Sequence, residues 1–204
     1  ANNLVTLVTM TEPWTSPDSS APFREAHPMT HPVRLALLQL SSALTQDPAL
    51  SEADAIAKLR ASGGLVLEIA QNDNRLDVSF LSAQGKVTDE VVAPVQFIPR
   101  LANLNLRGTD ITDAGLPAVG KATSLVRLHL EKTKVTDAGL AHLKPLANLE
   151  YLNVYGTEIT DAGIAHLESL SKLKTIYLWQ TKVTDAGVMK LQQALPMLKI
   201  IRGT

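Results

Sequence analysis

The sequence predicts an α/β solenoid, a stack of coils that each supply a short strand and a helix. Two observations carry that reading. The first is a period: the Thr of the word Thr-Asp-Ala-Gly falls at 112, 136, 160 and 184, and Leu101, Leu125, Leu149 and Leu173 keep the same step of 24. The second is the spacing inside each period, L-x-x-(L/I)-x-(L/V)-x-x-T-x-(I/V)-T-D-A-G-(L/I/V). A unit of this length containing L-x-x-L-x-L marks a leucine-rich repeat when it recurs this often. Parallel strands then line the concave face and helices the convex face. "GKVTDEVV" (85–92) fits one period earlier, with Thr88 and Asp89 matching Thr112 and Asp113, and "LKIIRGT" closes the series.

Taken in chain order, residues 1–50 read as a Pro-rich arm followed by a helix. Six of the 11 prolines lie here, at 13, 17, 22, 28, 32 and 48, and "VRLALLQLSSAL" (33–44) is rich in helix formers. Residues 51–83 read as an N-terminal cap. Ser51, with Asp54 three residues on, resembles a capping box, and Gly63-Gly64 supplies the stop. "LVLEIA" (65–70) and "RLDVSFLS" (75–82) follow as strands around the polar turn "QNDN". Residues 84–204 hold the repeats.

Within a repeat, the two apolar letters of L-x-L face the core. Ile111, Val135, Ile159 and Val183 plug it before the helix begins, and the apolar letters that follow at helical spacing fill it behind the sheet. Thr112, Thr136, Thr160 and Thr184 are placed as N-caps. Asp113, Asp137, Asp161 and Asp185 then fall in the first helical turn, where their charge complements the dipole. Ala and Gly allow neighbouring coils to pack closely. Thr109, Thr133, Thr157 and Thr181 stand where many such repeats carry Asn, and their hydroxyls can make part of a ladder to adjacent coils. On this reading the recurring Asp is scaffold rather than chemistry.

Composition narrows the function. With 19 basic and 20 acidic side chains the formal net charge is -1, so no global field draws nucleic acid or an anionic membrane. No apolar run reaches the length of about 20 residues that a membrane span needs. Zero cysteines exclude disulfides, thiolate metal sites and a Cys nucleophile. The chain starts at Ala1, which suggests a processed N-terminus. No Ser-His-Asp order, phosphate loop or paired carboxylate motif emerges, so no catalytic residue and no cofactor is assigned. His142 and His166 occupy equivalent positions on convex helices and read as solvated faces. His27 and His31, in "HPMTH", are the imidazoles that could ligate a haem or metal of another chain.

Partner-binding candidates come from strand alternation, which turns the letters flanking the inward leucines onto the concave face. The columns are Asn103, Arg127, Tyr151, Thr175, then Asn105, His129, Asn153, Tyr177, then Arg107, Glu131, Tyr155, Trp179. The chain has three Phe, two Trp and three Tyr, and all three Tyr and one Trp fall in these columns. Exposed aromatics clustered in this way are raw material for binding hot spots. The residues nominated are Arg127, His129, Tyr151, Asn153, Tyr155, Tyr177 and Trp179.

The wording of the repeats, "LVRLHLEKTKVTDAGLAHLKPLANLEYLNVYGTEITDAGIAHL" and "TIYLWQTKVTDAGV", resembles the leucine-rich tail of planctomycete-type c-type cytochrome proteins. The likeness spans about residues 52–203. It implies an extracytoplasmic, periplasmic-type setting and a protein partner such as a c-type cytochrome or another subunit of a membrane-associated complex. The chain departs from that architecture in having no Cys-x-x-Cys-His, so a covalent haem would belong to another polypeptide. The combined reading is a non-enzymatic docking and assembly module, an accessory subunit. The alternative is a polysaccharide- or ligand-binding module that uses the Tyr/Trp cluster.

Overall fold

The computed structural model describes residues 50–83 and 86–203. The arm with its expected helix, and with it His27 and His31, lies outside the described residues. The first element is helix α1 (Glu52–Ala61). Ser51 Oγ accepts from the Asp54 amide at 3.1 Å and donates to the Asp54 carboxylate at 2.6 Å, so the N-cap half of the expected capping box forms while the Asp54 carboxylate takes the Ser51 hydroxyl rather than its amide. Gly63 ends the helix at φ +86°, a left-handed conformation costly for side chains with a Cβ. Ala55 and Leu59 bury the inner face completely.

Strands β1 (Leu65–Ala70) and β2 (Asp73–Ser79) pair antiparallel. The turn is tighter than the sequence suggests. Asp73 and Asn74 already belong to β2, because the antiparallel ladder closes with Ala70 opposite Asp73, whose carboxylate Arg75 Nη2 meets at 2.6 Å. The strand also stops at Ser79 rather than Ser82, and Phe80 turns into the core at 3 % exposure.

β2 then starts a run of parallel neighbours: β3 (Leu101–Asn105), β4 (Arg127–His129), β5 (Tyr151–Asn153), β6 (Thr175–Tyr177) and β7 (Lys199–Ile201). The seven strands form one sheet in sequence order. Register follows the period, with Leu104, Leu128, Leu152, Ile176 and Ile200 in one row. Leu104, Leu128, Leu152 and Ile176 are fully buried, each worth about 1.5–3 kcal/mol of transfer free energy. This is the leucine-rich solenoid that the repeat spacing predicts.

The helical side is slighter than expected. Helices α2 (Asp89–Val92), α3 (Leu116–Gly120), α4 (Asp137–Leu140) and α5 (Asp161–Ala165) run one turn or so, and only α6 (Asp185–Ala194) reaches 10 residues. Short 3-10 turns flank three of them, Ala93–Phe97 after α2, Asp113–Gly115 before α3 and Ala141–Leu143 after α4. A period of 24 residues, once strand and return turns are subtracted, leaves room for little more. Ile111, Val135 and Ile159 are fully buried before these segments, and Val183 nearly so.

The Thr-Asp-Ala-Gly word does more than cap. Each Asp reaches into the next coil, where one carboxylate oxygen accepts from the Thr amide and the other from the Thr hydroxyl. Asp113 takes both from Thr136 at 2.7 and 2.6 Å, and Asp137 takes both from Thr160 at the same distances. Asp89 to Thr112 and Asp161 to Thr184 repeat the join. The Thr hydroxyl that donates to Asp also accepts a helix amide at Thr112, Thr160 and Thr184, but makes no such cap at Thr136.

The Gly of the word follows from the join, because a Cβ at Gly115 would lie 2.6 Å from the Asp89 carboxylate, and one at Gly139, Gly163 or Gly187 closer still to Asp113, Asp137 or Asp161 of the preceding coil. Asp185 pairs with Arg202. The Thr184 hydroxyl and amide hold the Asp161 carboxyl below the ordinary carboxylate range.

One expectation is corrected. Thr109, Thr133, Thr157 and Thr181 do not bond adjacent coils. Their hydroxyls donate to the carbonyls of Leu106, Leu130, Val154 and Leu178, three residues back in the same coil, at 2.6–2.8 Å. The carbonyl three residues back lies within reach of each hydroxyl and takes it, whereas Ser124, differently placed, does cross to Leu101 O of the adjacent coil at 2.7 Å. Beside these threonines backbone bonds make the crossing, from Lys132 N to Tyr155 O at 2.8 Å and from Gly156 N to Trp179 O at 3.0 Å.

Candidate functional site

The face of the sheet turned away from the helices collects the variable letters. Pairing puts Asn103, Arg127, Tyr151, Thr175 and Lys199 in one row and Asn105, His129, Asn153, Tyr177 and Ile201 in the next. β1 extends both rows, Leu67 opposite Asp77 and Leu65 opposite Ser79, and both leucines are about half exposed at 53 %. The sequence reading omitted them because a continuous apolar run gives no sign of which alternate letters face outward.

Within these rows the aromatic side chains make contact. His129 and Tyr151 rings lie 4.8 Å apart, and Tyr151 and Tyr177 rings 5.6 Å apart. Tyr155 and Trp179 are stacked at 5.1 Å with an interplanar angle of 22°. The Arg127 guanidinium sits over the Tyr151 ring at 4.5 Å, and the Lys132 ammonium near the Tyr155 ring at 5.6 Å. Asn153 donates to Glu131 Oε1 at 2.7 Å while its own Oδ1 accepts from the Tyr155 amide at 3.1 Å. Burial raises the Tyr151 phenol above its ordinary value against the opposing hydrogen bond from Asn153, so it stays un-ionised at neutral pH. All seven nominated residues thus lie on one continuous surface. Trp179 is the most open of its aromatics, 49 % exposed.

Glu131 departs from the alternation rule. Its column faces outward, yet it is only 5 % exposed. Oε1 lies 2.9 Å from His129 Nδ1 and accepts from Asn153, while Oε2 finds no hydrogen-bond partner among the described residues. The signal for this cluster was present in the sequence: His129 and Glu131 are two apart on one face, and Asn153 follows His129 by one period.

Lys132 and Gln180 adopt φ +55° and +53°, at positions where the neighbouring coils carry Gly108 and Gly156. A left-handed non-glycine residue costs about 1–2 kcal/mol. These two flank the Tyr155–Trp179 stack.

The helical side is chemically quieter. A groove of about 320 Å³ opens between α5 and α6, lined mainly by Ala, Ile and Leu with Glu168 and Lys190 at 3.3 Å on its edge. Among the described residues no group of three His, Asp or Glu could hold a metal ion, and no helix is long and apolar enough to cross a membrane.

No family model matches the chain, and no curated protein matches it. Among solved structures, the crystal structure of PEPR1–AtPEP1 is similar at 19 % identity and a TM-score of 0.38 over 63 % of this chain, which spans 17 % of that one. The leucine-rich repeat ectodomain of the receptor kinase SOBIR1 from Arabidopsis thaliana is similar at 12 % identity and a TM-score of 0.49, covering 74 % of this chain and 90 % of that one. These likenesses are distant, and the fold stands on the repeat geometry itself. The resemblance to cytochrome-associated solenoids has no counterpart in them.

Proposed function

We propose that this chain is a non-catalytic docking module that receives a protein partner on the open face of its sheet. The observation that carries the proposal is the Tyr155–Trp179 stack, half exposed at its Trp and continuous with Tyr151, Tyr177 and His129. Aromatic side chains are normally buried, and a rigid cluster left open supplies large contact area at small entropic cost. A stiff repeat scaffold suits that role, because each coil holds its neighbours' outward letters in fixed register.

The finer assignment is an accessory subunit of an extracytoplasmic complex that includes a c-type cytochrome. It is supported by the likeness of residues 52–203 to the tails of such cytochrome proteins. Native purification with mass spectrometry and an absorbance scan for haem tests it. Loss of a co-purifying haem protein on combined Tyr155→Ala and Trp179→Ala is the expected result. Retention of every partner by the double variant would remove the open face from the account.

The stack also favours a second reading, in which Trp179 and Tyr155 offer ring faces to a sugar. Quenching or enhancement of Trp179 fluorescence by neutral oligosaccharides, absent with peptides, would select it.

A further inference from the structure

We infer that the partner segment is an extended polypeptide rich in Asp or Glu beside apolar residues, an inference that rests on the docking reading above. The argument begins with which cations lack carboxylates. Along the flanks of the coils, several lysines are neutralised by the neighbouring repeat, Lys134 by Asp110, Lys174 by Glu150 and Lys182 by Glu158, while Lys121 and Lys172 bond the amide oxygens of Gln96 and Asn148. On the open face and its rim the pattern stops. Arg107, Arg127, Lys132 and Lys199 are all exposed, and none has a carboxylate within ion-pair distance among the described residues.

The acidic groups that share this face are committed elsewhere. Asp77 accepts from Asn103 Nδ2 at 2.9 Å, and Glu131 is buried against His129 and Asn153. Counting Arg107, Arg127, Lys132 and Lys199 against Asp77 and Glu131, the face carries two more cations than carboxylates, and it is the cations that stand exposed beside the aromatic rings. Lys132 adds an independent observation. Its backbone holds φ +55° where glycine serves the coils on either side, and its side chain lies where a Cβ on Gly156 would crowd its Cγ at 3.3 Å.

A polypeptide fits better than a polyanion. The cations are interleaved with apolar surface, Leu65 and Leu67 at one edge and Trp179 towards the other, and the chain as a whole carries a net charge of -1. Phosphodiester or uronate polymers bind unbroken positive stripes, whereas mixed apolar and cationic surface matches acidic side chains alternating with apolar ones. The seven strands span six spacings, or roughly 29 Å, which an extended segment of about nine residues would cross.

The test is selection from a displayed, randomised library of peptides about twelve residues long. The full chain is the bait, and the Tyr155→Ala/Trp179→Ala double variant, checked for an unchanged circular dichroism spectrum, is the counter-bait. Selected sequences are expected to pair Asp or Glu with Trp, Phe or Leu. Their affinity should fall about tenfold on Arg127→Glu with Lys132→Glu, fall again at high salt, and hold on Lys58→Glu with Lys144→Glu, two exposed cations off the sheet.

Neutral or basic selected sequences, or indifference to the Arg127/Lys132 reversal, would overturn the acidic partner and leave the docking reading standing. Failure to select any peptide, or equal selection on the double variant, would remove the docking reading and this inference together. Oligothymidylate or polygalacturonate binding as tightly as the selected peptide at the same salt would overturn the choice of a polypeptide.

Discussion

The two sides of the coil obey opposite rules. On the side of the Asp–Thr joins, the same letters do the same work at every step, and the neighbour's carboxylate explains even the glycine. On the open face the rows vary, with Asn105 and Asn153 the one recurrence, and Tyr, His, Arg and Trp replace other letters at equivalent positions. Repetition within a chain therefore separates what the solenoid needs from what this particular solenoid presents. The side that repeats should govern stability, and the side that varies should govern binding.

That division can be broken experimentally, starting with the largest effect. Leu152→Ala, in the fully buried row, should cost about 2–5 kcal/mol in a urea titration. Asp137→Ala removes two charge-assisted bonds to Thr160 and should cost about 2–3 kcal/mol. Gly163→Ala drives a methyl into that same carboxylate and should cost about 1–3 kcal/mol. The Asp137/Gly163 pair should be partly non-additive, since removing the carboxylate leaves the methyl only the Asp137 Cα, at 3.1 Å. Additive losses would mean that the glycine serves some other purpose.

Acid offers a gentler probe. The folded carboxyl of Asp161 is depressed by its bonds to Thr184, so its stabilisation is present above the unfolded carboxyl value of about 3.9 and is lost as pH falls through the lower folded value. Asp161→Asn should therefore lower the melting temperature at pH 7, and the difference from the unmodified chain should shrink towards pH 3. A constant difference across that range would show that the charge is not what holds the join.

On the varying side the expected stability changes are small. Lys132→Gly relieves the left-handed backbone and should stabilise by about 1 kcal/mol while weakening partner binding. Trp179→Ala should cost about 0.5–1.5 kcal/mol, less than Leu152→Ala, because half of the ring already faces water and the other half stacks on Tyr155. A large loss of stability from Trp179→Ala would erase the distinction between the two sides.

How much of this the sequence disclosed follows the same line. Period, strand positions and core letters were legible because each rests on local spacing. The α1 cap was too, since Ser51 and Asp54 meet across one turn. The Asp–Thr join was not. Its partners stand 23 residues apart, and a Thr followed by Asp before an apolar helix already looks complete as a cap. The seven outward residues were legible from alternation, and so was their column. The burial of Glu131 was not, because it depends on how His129 and Asn153 lean across from neighbouring strands. The half-exposed Leu65 and Leu67 escaped for the converse reason: an apolar letter in an edge strand is read as core until its partner strand is known.

The joins have a consequence for how the chain assembles. Each Asp fits any Thr of the series, so nothing in the bond distinguishes the coil it belongs to from one two places along. A chain that skipped a coil would form the same bonds and simply leave 24 residues looped out. What is addressed is the start: Ser79 and Leu76 of β2 begin the parallel run after an antiparallel strand, a neighbour that no later coil has. A duplicated coil inserted among the repeats would meet the same Asp and Thr on either side.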